Sequence, residues 1–249
     1  MKGLQPNWPA PTWVRAMTTT RIGGVSKDAF DSFNLGLHVF DNPNDVYQNR
    51  LQLSQSLNFM YDPIWLNQTH STHVIELKKP DVKDLSLDAD GALTQLTYVP
   101  CVVLTADCLP LLLCDTQGTV VGAIHCGWRG IANGIIENAL NAIRLKTNND
   151  ILAWLGPAIS QNHFEVGDEV REQFLKHNLA ASSAFIPGER PGKWMANLYI
   201  LASQRLNEMG VRQIYGGDYC TYTDAARFYS YRRDKETGRM ATLIWLALS

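Results

Sequence analysis

Three apolar runs follow one another between residues 99 and 125, and they restrict the possible folds more than any other feature of the chain. They cover Val99 to Thr105, Pro110 to Cys114 and Thr119 to His125. Short apolar runs that are bounded by turn residues are typical of buried strands. Similar runs predict strands at Trp13 to Thr19, Ile151 to Leu155 and Met240 to Leu248. We therefore expect strands to dominate the middle of the chain.

Helical periodicity appears in three other stretches, which are Ile131 to Leu145, Asp168 to His177 and Asn197 to Met209. The mixture of strands and helices predicts an α/β fold of the α+β type. No internal repeat, low-complexity tract or change of composition marks a linker. Because α/β folds of 249 residues are often one unit, we predict a single domain over residues 1–249.

Charge and cysteine content exclude several classes of protein. The net charge is −2, with 22 Lys and Arg against 24 Asp and Glu, and no run of like charges predicts a nucleic-acid or membrane partner. Pro and Trp near the N-terminus interrupt any signal-peptide core, so we predict a cytoplasmic protein. Five irregularly spaced cysteines do not form a disulfide framework, and their thiols are expected to be free or bound to metal.

Three short segments each carry one residue that binds transition metals. His70 follows the run Pro63 to Leu66, whereas Cys108 and His125 each follow or end a predicted strand. Strand ends are where sheets hold functional side chains next to a cleft. Two imidazoles and one thiolate suit Zn²⁺ or copper, and a site with three protein ligands leaves one position for water or substrate. The sequence thus predicts an open, catalytic metal site.

Eight motifs in a fixed order resemble the YfiH-type laccase-domain family, over essentially the whole chain. They are TTTRIGGVS (18–26), SFNLGLHVFDNP (32–43), WLNQTHSTHV (65–74), LTADCLPLLL (104–113), HCGWRGIANGI (125–135), LGPAIS (155–160), FEVGDEVR (164–171) and YSYRRDKETGRM (229–240). Members of that family, formerly named multicopper polyphenol oxidases, are described as purine nucleoside phosphorylases. The resemblance implies a layered sandwich of mixed sheets with flanking helices, similar to the fold of bacterial Cys–His deamidating toxins.

The resemblance also implies the ligands and the reaction. The family's metal ligands match His70, Cys108 and His125 of this chain. The implied activity is phosphorolysis of adenosine, inosine, guanosine and methylthioadenosine, together with deamination of adenosine. The expected partners are therefore purine nucleosides and phosphate. Ser71 and Cys126 stand where Gly and Ala are commoner in the family. Because members with Ala at the position of Cys126 need no thiol there, a catalytic role for Cys126 is not expected. His73 is expected to be a surface imidazole rather than a base near the site.

The histidine count bears on the metal. Two His and one Cys are also the equatorial ligands of a blue-copper centre. Of the six histidines, the site would leave His38, His73, His163 and His177, which are too few and too scattered for a multinuclear copper cluster. We therefore predict Zn²⁺, with copper as the alternative.

Further residues of the motifs are candidates for contacts with substrate. Phosphate needs cations, and Arg21 lies beside glycines that allow close approach of an anion. Arg129 and Arg233 are further candidates for phosphate, although each is as well explained by a structural ion pair. Asn34 and Gln68 are candidates for hydrogen bonds to base or ribose, or else amides that satisfy a loop.

Asp107 has two possible roles. It either carries the proton in deamination, as a carboxylate does in other zinc deaminases, or orients His70 or His125 through the free ring nitrogen.

Two alternatives belong to other classes of protein. Cys108 could be a nucleophile that His125 activates, as in Cys–His amidohydrolases, and some members of the family are linked to the editing of a peptidoglycan precursor. A non-catalytic zinc module would need a fourth ligand, such as Asp107 or His73. Metal content separates these possibilities, because zinc-bound thiolate is a poor nucleophile.

Overall fold

The computed structural model describes residues 3–79 and 87–248. Within these ranges the strands are β1 Gly3–Leu4, β2 Val14–Thr19, β3 Val74–Glu76, β4 Gly91–Thr94, β5 Cys101–Thr105, β6 Leu109–Asp115, β7 Val121–Cys126, β8 Ile151–Leu155, β9 Glu165–Gly167, β10 Phe185–Pro187, β11 Lys193–Ala196, β12 Gln213–Gly216 and β13 Met240–Leu246. The helices are α1 Pro43–Ser56, α2 Trp128–Asn133, α3 Ile135–Arg144, α4 Asp168–His177, α5 Leu198–Glu208 and α6 Tyr231–Asp234.

All six strands predicted from apolar runs are present, as β2, β5, β6, β7, β8 and β13, with ends shifted by two residues at most. The predicted helix from Ile131 to Leu145 is divided into α2 and α3 at Gly134. This glycine has a φ of 100°, a backbone conformation that side-chain-bearing residues rarely adopt, and it ends α2 and starts α3. The other two predicted helices match α4 and α5.

Helix α1 is not predicted by apolar periodicity, because the residues that mark it in the sequence are those at its N-terminus. The buried residues of this helix are Val46, Asn49 and Leu53, which make a weak pattern. Asn42 caps the N-terminus by accepting a hydrogen bond from the Asn44 N–H, and Pro43 occupies the first turn. Both are standard start signals of a helix.

The sheets are stacked in layers. A mixed sheet has the order β12-β8-β6-β7-β4-β3, and an antiparallel sheet has the order β1-β2-β13-β5. A third, small antiparallel sheet among the described residues has the order β10-β11-β9. The class predicted from the sequence, an α+β sandwich of mixed sheets with flanking helices, is confirmed.

Alternate side chains of β6 show how the layers pack. Leu111 and Leu113 face a core that helices α2 to α5 complete. Leu112 and Cys114, on the other face, pack against the antiparallel sheet that contains β5 and β13. Since β6 is buried on both faces, its sequence is a continuous apolar run rather than an alternating one.

The helices within residues 3–79 and 87–248 are short or amphipathic. None of them combines the length and the apolar character that crossing a bilayer requires.

Candidate metal centre and its cavity

His70, Cys108 and His125 meet at one end of the two main sheets. Their ligand atoms all lie within 4.8 Å of one another. The distance from Cys108 Sγ to His70 Nε2 is 3.9 Å, and the two imidazole rings are nearly perpendicular, with centroids 4.8 Å apart. In a tetrahedral zinc site, the usual bond lengths place a sulfur and a nitrogen about 3.6 Å apart. Small side-chain shifts would therefore bring the three ligands onto one ion.

Cys108 lies where the chain passes from one sheet to the other. Strand β5 belongs to the antiparallel sheet and β6 to the mixed sheet, with Ala106, Asp107 and Cys108 between them. Asp107 has a φ of 95°, and its carboxylate accepts hydrogen bonds from the Thr221 hydroxyl at 2.7 Å and the Arg232 N–H at 2.6 Å. These bonds hold the turn that presents the thiol.

Gly127 provides the space in which the three ligands converge. A Cβ at this position would lie 3.0 Å from His70 Cδ2, 3.3 Å from Cys108 Sγ and 3.6 Å from His125 Cε1. The backbone of Gly127 is thus in near contact with all three ligands. The donor set and this close packing both fit a bound metal ion.

A Gly127→Ala variant is expected to bind zinc at least about tenfold more weakly, because the added methyl group would push His70 and Cys108 apart. One tenfold step in affinity corresponds to about 1.4 kcal/mol, which is a modest strain for such contacts. Competition with a chelator measures the affinity. Gly210→Ala is a control for backbone strain alone, since Gly210 has a φ of 80° and its Cβ would approach the Arg144 side chain at 3.5 Å rather than a ligand. Unchanged zinc affinity in Gly127→Ala would contradict the expected crowding.

Asp90 organises two of the three ligands and was not identified from the sequence. Its side chain is fully buried, and Oδ1 accepts hydrogen bonds from His125 Nδ1 at 2.7 Å and from the His70 N–H at 3.0 Å. Its Oδ2 accepts hydrogen bonds from the N–H groups of Thr69 and Ser71 and from the Ser71 hydroxyl. One carboxylate therefore fixes the loop of His70 and the ring of His125. Carboxylates behind metal-binding imidazoles commonly set ring orientation in this way.

Electrostatics favour a thiolate at Cys108 in the metal-free protein. Burial by itself would raise the pKa of Cys108, but His125 and His70 lower it to about 6. Burial opposes protonation of His125, whereas Cys108 and Asp90 raise its pKa to about 9. At neutral pH the pair is consequently a thiolate and an imidazolium that share one proton.

Zinc affinity is expected to increase about tenfold per pH unit between pH 6 and 9. Cys108 is already deprotonated in this range, whereas His125 must lose one proton before it can bind the metal. Below pH 6 both groups are protonated, so the dependence should become steeper. Chelator competition at several pH values, with proton release measured in weak buffer, tests this. Affinity that does not change between pH 6.5 and 8.5 would contradict it.

The ligand cluster opens into a cavity of about 260 Å³. The lining residues are His38, Gln68, His70, Leu104, Thr105, Ala106, Cys108, His125, Tyr231 and Arg239. Of these, His38, Tyr231 and Arg239 are not among the residues predicted from the sequence, although they lie within the family motifs. No signal in the residue types separates them from other members of the same motifs.

Two predicted amides are bonded within the fold. Gln68 lines the cavity, and its side chain makes two hydrogen bonds with the backbone of Leu104, at 2.9 and 2.7 Å. Asn34 is fully buried, and its Oδ1 accepts hydrogen bonds from the N–H groups of Gly36 and Arg239. These bonds fit the loop-satisfying alternative, and a contact of Gln68 or Asn34 with substrate stays a prediction.

The three predicted phosphate arginines lie outside the cavity lining. Arg21 donates to the carbonyls of Asp31 and Ala225 and stacks over the Tyr229 ring. Arg233 donates to the carbonyls of Thr221, Tyr222 and Phe228 and pairs with Asp234. Arg129 is exposed and stacks over Trp128. Arg21 and Arg233 therefore hold backbone segments together, whereas Arg129 makes no ion pair among the described residues. A role of these arginines in binding phosphate stays a prediction.

Two other candidate residues have polar atoms that are engaged by groups other than the ligand rings. Asp107 does not orient a ligand imidazole, because Asp90 holds His125 Nδ1 and both oxygens of Asp107 are bonded to Thr221 and Arg232. His73 is exposed and its Nδ1 lies 2.7 Å from the Asp88 carbonyl oxygen, away from the cavity lining.

The fold and the site together define a layered α+β protein with a His-Cys-His cluster, open to a cavity, that could hold a metal ion. A sequence model of the family described as multi-copper polyphenol oxidoreductase laccase matches residues 15–247. The chain belongs to this family, which is the YfiH family of laccase-domain proteins.

Relatives with known names match over nearly the whole chain. It is 48% identical over 243 residues to the purine nucleoside phosphorylase PA4543 of Pseudomonas aeruginosa, with 98% of both chains covered. It is also 48% identical over 245 residues to the purine nucleoside phosphorylase YfiH of Escherichia coli, covering 98% of this chain and 99% of that one.

Solved structures share the fold. The protein NMB0706 of Neisseria meningitidis superimposes with a TM-score of 0.93 at 44% identity, with both chains fully covered. YlmD of Geobacillus stearothermophilus has a TM-score of 0.88 at 29% identity, with 100% of this chain and 97% of that one covered.

Proposed function

We propose that this protein is a purine nucleoside phosphorylase that uses the cavity at His70, Cys108 and His125. The observation that carries the proposal is the nearly full-length similarity to relatives named purine nucleoside phosphorylases, combined with one open metal-binding cluster in a cavity. The proposed substrates are adenosine, inosine, guanosine and methylthioadenosine with phosphate. Deamination of adenosine is proposed as a second activity of the same site.

Zinc is the proposed metal. His70, Cys108 and His125 would hold it, and it would supply a Lewis acid and a bound water of lowered pKa. Among the described residues, the groups of three possible ligands are this cluster and Glu137 with His177 and Glu208. Neither group resembles the several-histidine cluster that oxidation by multinuclear copper requires, which favours zinc over laccase chemistry.

The residues around the cluster would orient and bind rather than react. Asp90 keeps His125 Nδ1 engaged, so the other ring nitrogen faces the ligand cluster. Gln68 ties the segment of His70 to β5 through Leu104. Asp107 enters the proposal as the residue that holds the turn of Cys108, because Thr221 and Arg232 already occupy its oxygens.

The proposal is tested by elemental analysis of protein purified without added metal, together with product analysis. We expect about one zinc per chain, adenine and ribose 1-phosphate from adenosine with phosphate, and inosine from adenosine without phosphate. Protein that contains zinc but forms none of these products would refute the proposed function.

A second candidate function is supported by one specific observation. Cys108, His125 and Asp90 form a series in which the thiol faces one ring nitrogen and the carboxylate binds the other, as in Cys–His amidohydrolases. Such an enzyme would act without metal and would be inactivated by alkylation of Cys108. Loss of activity on metal removal would exclude it.

A further inference from the structure

Arg239 is a cation on the cavity wall that makes no ion pair with a carboxylate within residues 3–79 and 87–248, although Cys108 and Asp107 act on it electrostatically. It precedes β13 and lines the same cavity as the ligand cluster. Its Nη1 donates to the carbonyls of Thr237 and Gly238 at 2.9 and 3.0 Å. Half-buried charges are normally paired, so this one favours binding of an anion.

Thr105 adds an unused hydroxyl to the same wall. It is the last residue of β5 and pairs in register with Met240, the residue after Arg239. The residue is 2% exposed and lines the cavity. Its Oγ1 has no hydrogen-bond partner within the described part of the chain. Because a buried hydroxyl without a partner is costly, a molecule in the cavity is expected to complete its hydrogen bonding.

The surrounding loop fixes Arg239 before any ligand binds. The Asn34 side chain joins the N–H groups of Arg239 and Gly36, each at 2.9 Å. Gly36 packs closely on the arginine, since a Cβ there would lie 2.8 Å from Arg239 Cγ. The aliphatic part of the side chain is thus held in place, which lowers the entropy lost on binding.

The charges around the cavity select an anion. None of its ten lining residues is Asp or Glu, and the carboxylates of Asp90 and Asp107 are hydrogen-bonded to other groups. The anionic lining residue is the Cys108 thiolate, whose charge the neighbouring His125 imidazolium balances. Burial, followed by the guanidiniums of Arg239 and Arg50, lowers the pKa of His38 to about 4, so this imidazole is neutral at pH 7. A zinc ion with one thiolate would add a further positive charge. A guanidinium with free N–H groups fits the oxygens of a phosphate.

We propose that Arg239 and Thr105 form the phosphate subsite of this cavity. The inference rests on the proposed function and assigns its anionic substrate to residues other than Arg21. In phosphorolysis, a phosphate oxygen forms a bond to C1′ of the ribose while the C1′–N9 bond breaks. The bonding electron pair leaves with the purine, which takes up a proton from solvent, and ribose 1-phosphate remains. Arg239 holds the attacking phosphate next to the metal centre.

The test compares zinc-loaded wild type with Arg239→Gln, Arg239→Lys and Thr105→Val. The phosphate KM with adenosine should rise by about 10- to 100-fold in Arg239→Gln, which is the usual effect of losing hydrogen bonds to a charged group. In Arg239→Lys the phosphate KM should rise less than in Arg239→Gln, because lysine keeps the positive charge. In Thr105→Val the phosphate KM should rise several-fold. The KM for adenosine and the zinc content should stay within about threefold of wild type. Exposed Arg212 provides the matched control, Arg212→Gln.

Line broadening in ³¹P NMR measures the binding of inorganic phosphate directly, and this measurement does not depend on turnover. Binding that is present in wild type and lost in Arg239→Gln supports the subsite, even if no nucleoside is cleaved and the proposed function fails. Unchanged binding in both Arg239 variants overturns the inference, as does a rise in phosphate KM found in Arg21→Ala instead. If AMP binds through Arg239 but inorganic phosphate does not, the subsite takes a nucleotide phosphate and the assignment to phosphorolysis is overturned.

Discussion

Cys108→Ser is expected to lose bound zinc and nucleoside phosphorolysis together while it keeps its fold. A neutral hydroxyl is a much weaker zinc ligand than a thiolate, and the site would be reduced to His70 and His125. Changes to residues behind metal ligands already cost roughly 10- to 100-fold in affinity, so loss of a ligand should cost more. Zinc content after dialysis, chelator competition and the rate of adenine release measure the effect.

Cys220→Ser is the matched control for this variant. Cys220 is a half-buried thiol that accepts a hydrogen bond from the Ser160 N–H, and serine can accept the same bond. It should keep both zinc and activity. If Cys108→Ser retained full zinc content but lost all turnover, or if wild type worked equally well without metal, covalent catalysis by Cys108 would replace the zinc-centred mechanism.

Asp90→Asn is expected to weaken zinc binding by about 10- to 100-fold and to destabilise the metal-free protein. The carboxylate accepts hydrogen bonds through both oxygens, from His125 and from the His70 and Ser71 backbone. An amide replaces one acceptor with a donor, and each buried N–H that is left unpaired costs about 1–3 kcal/mol. Chelator competition and denaturant unfolding of the metal-free protein measure the two effects.

Asp88→Asn is the control, because Asp88 is an exposed aspartate two residues before Asp90 whose side chain contacts Asn67. It should change zinc affinity and the free energy of unfolding little. Zinc affinity within threefold of wild type in Asp90→Asn would show that the carboxylate does not position the ligands.

The same carboxylate predicts a pH dependence of stability. Burial alone would raise the pKa of Asp90, but hydrogen bonds from His125 and Ser71 lower it to about 2. A pKa below that of the unfolded chain means that the carboxylate stabilises the fold above about pH 4. This contribution should disappear as the pH falls from about 4 to about 2. Asp90→Asn should lack this part of the acid dependence in unfolding experiments on the metal-free protein.

Many elements of the fold could be predicted from the sequence because they depend on local pattern. The apolar runs of β5, β6 and β7 are buried on both faces, and their turn residues mark where each run stops. Helix α4 matched its predicted bounds. Helix α1 was not predicted, because it contributes few apolar residues to the core.

Some residues of the candidate site could likewise be predicted from the sequence, and others could not. His70, Cys108 and His125 could be proposed from ligand chemistry and from the motifs that carry them. Arg21 and Arg233 could not be judged, because their partners are backbone carbonyls of segments up to 204 residues away in sequence. An arginine that holds a loop and one that faces a cavity have the same side chain.

The sequence by itself determined the class of fold, the metal-binding residue types and the family. Only the tertiary structure decided that Asp90 rather than Asp107 orients His125, and that Arg239 rather than Arg21 faces the ligand cluster. The physical reason is that strand pattern and ligand chemistry belong to single segments. Hydrogen-bond partners and the walls of a cavity arise only when β4, β5, β7 and the segment before β13 pack together.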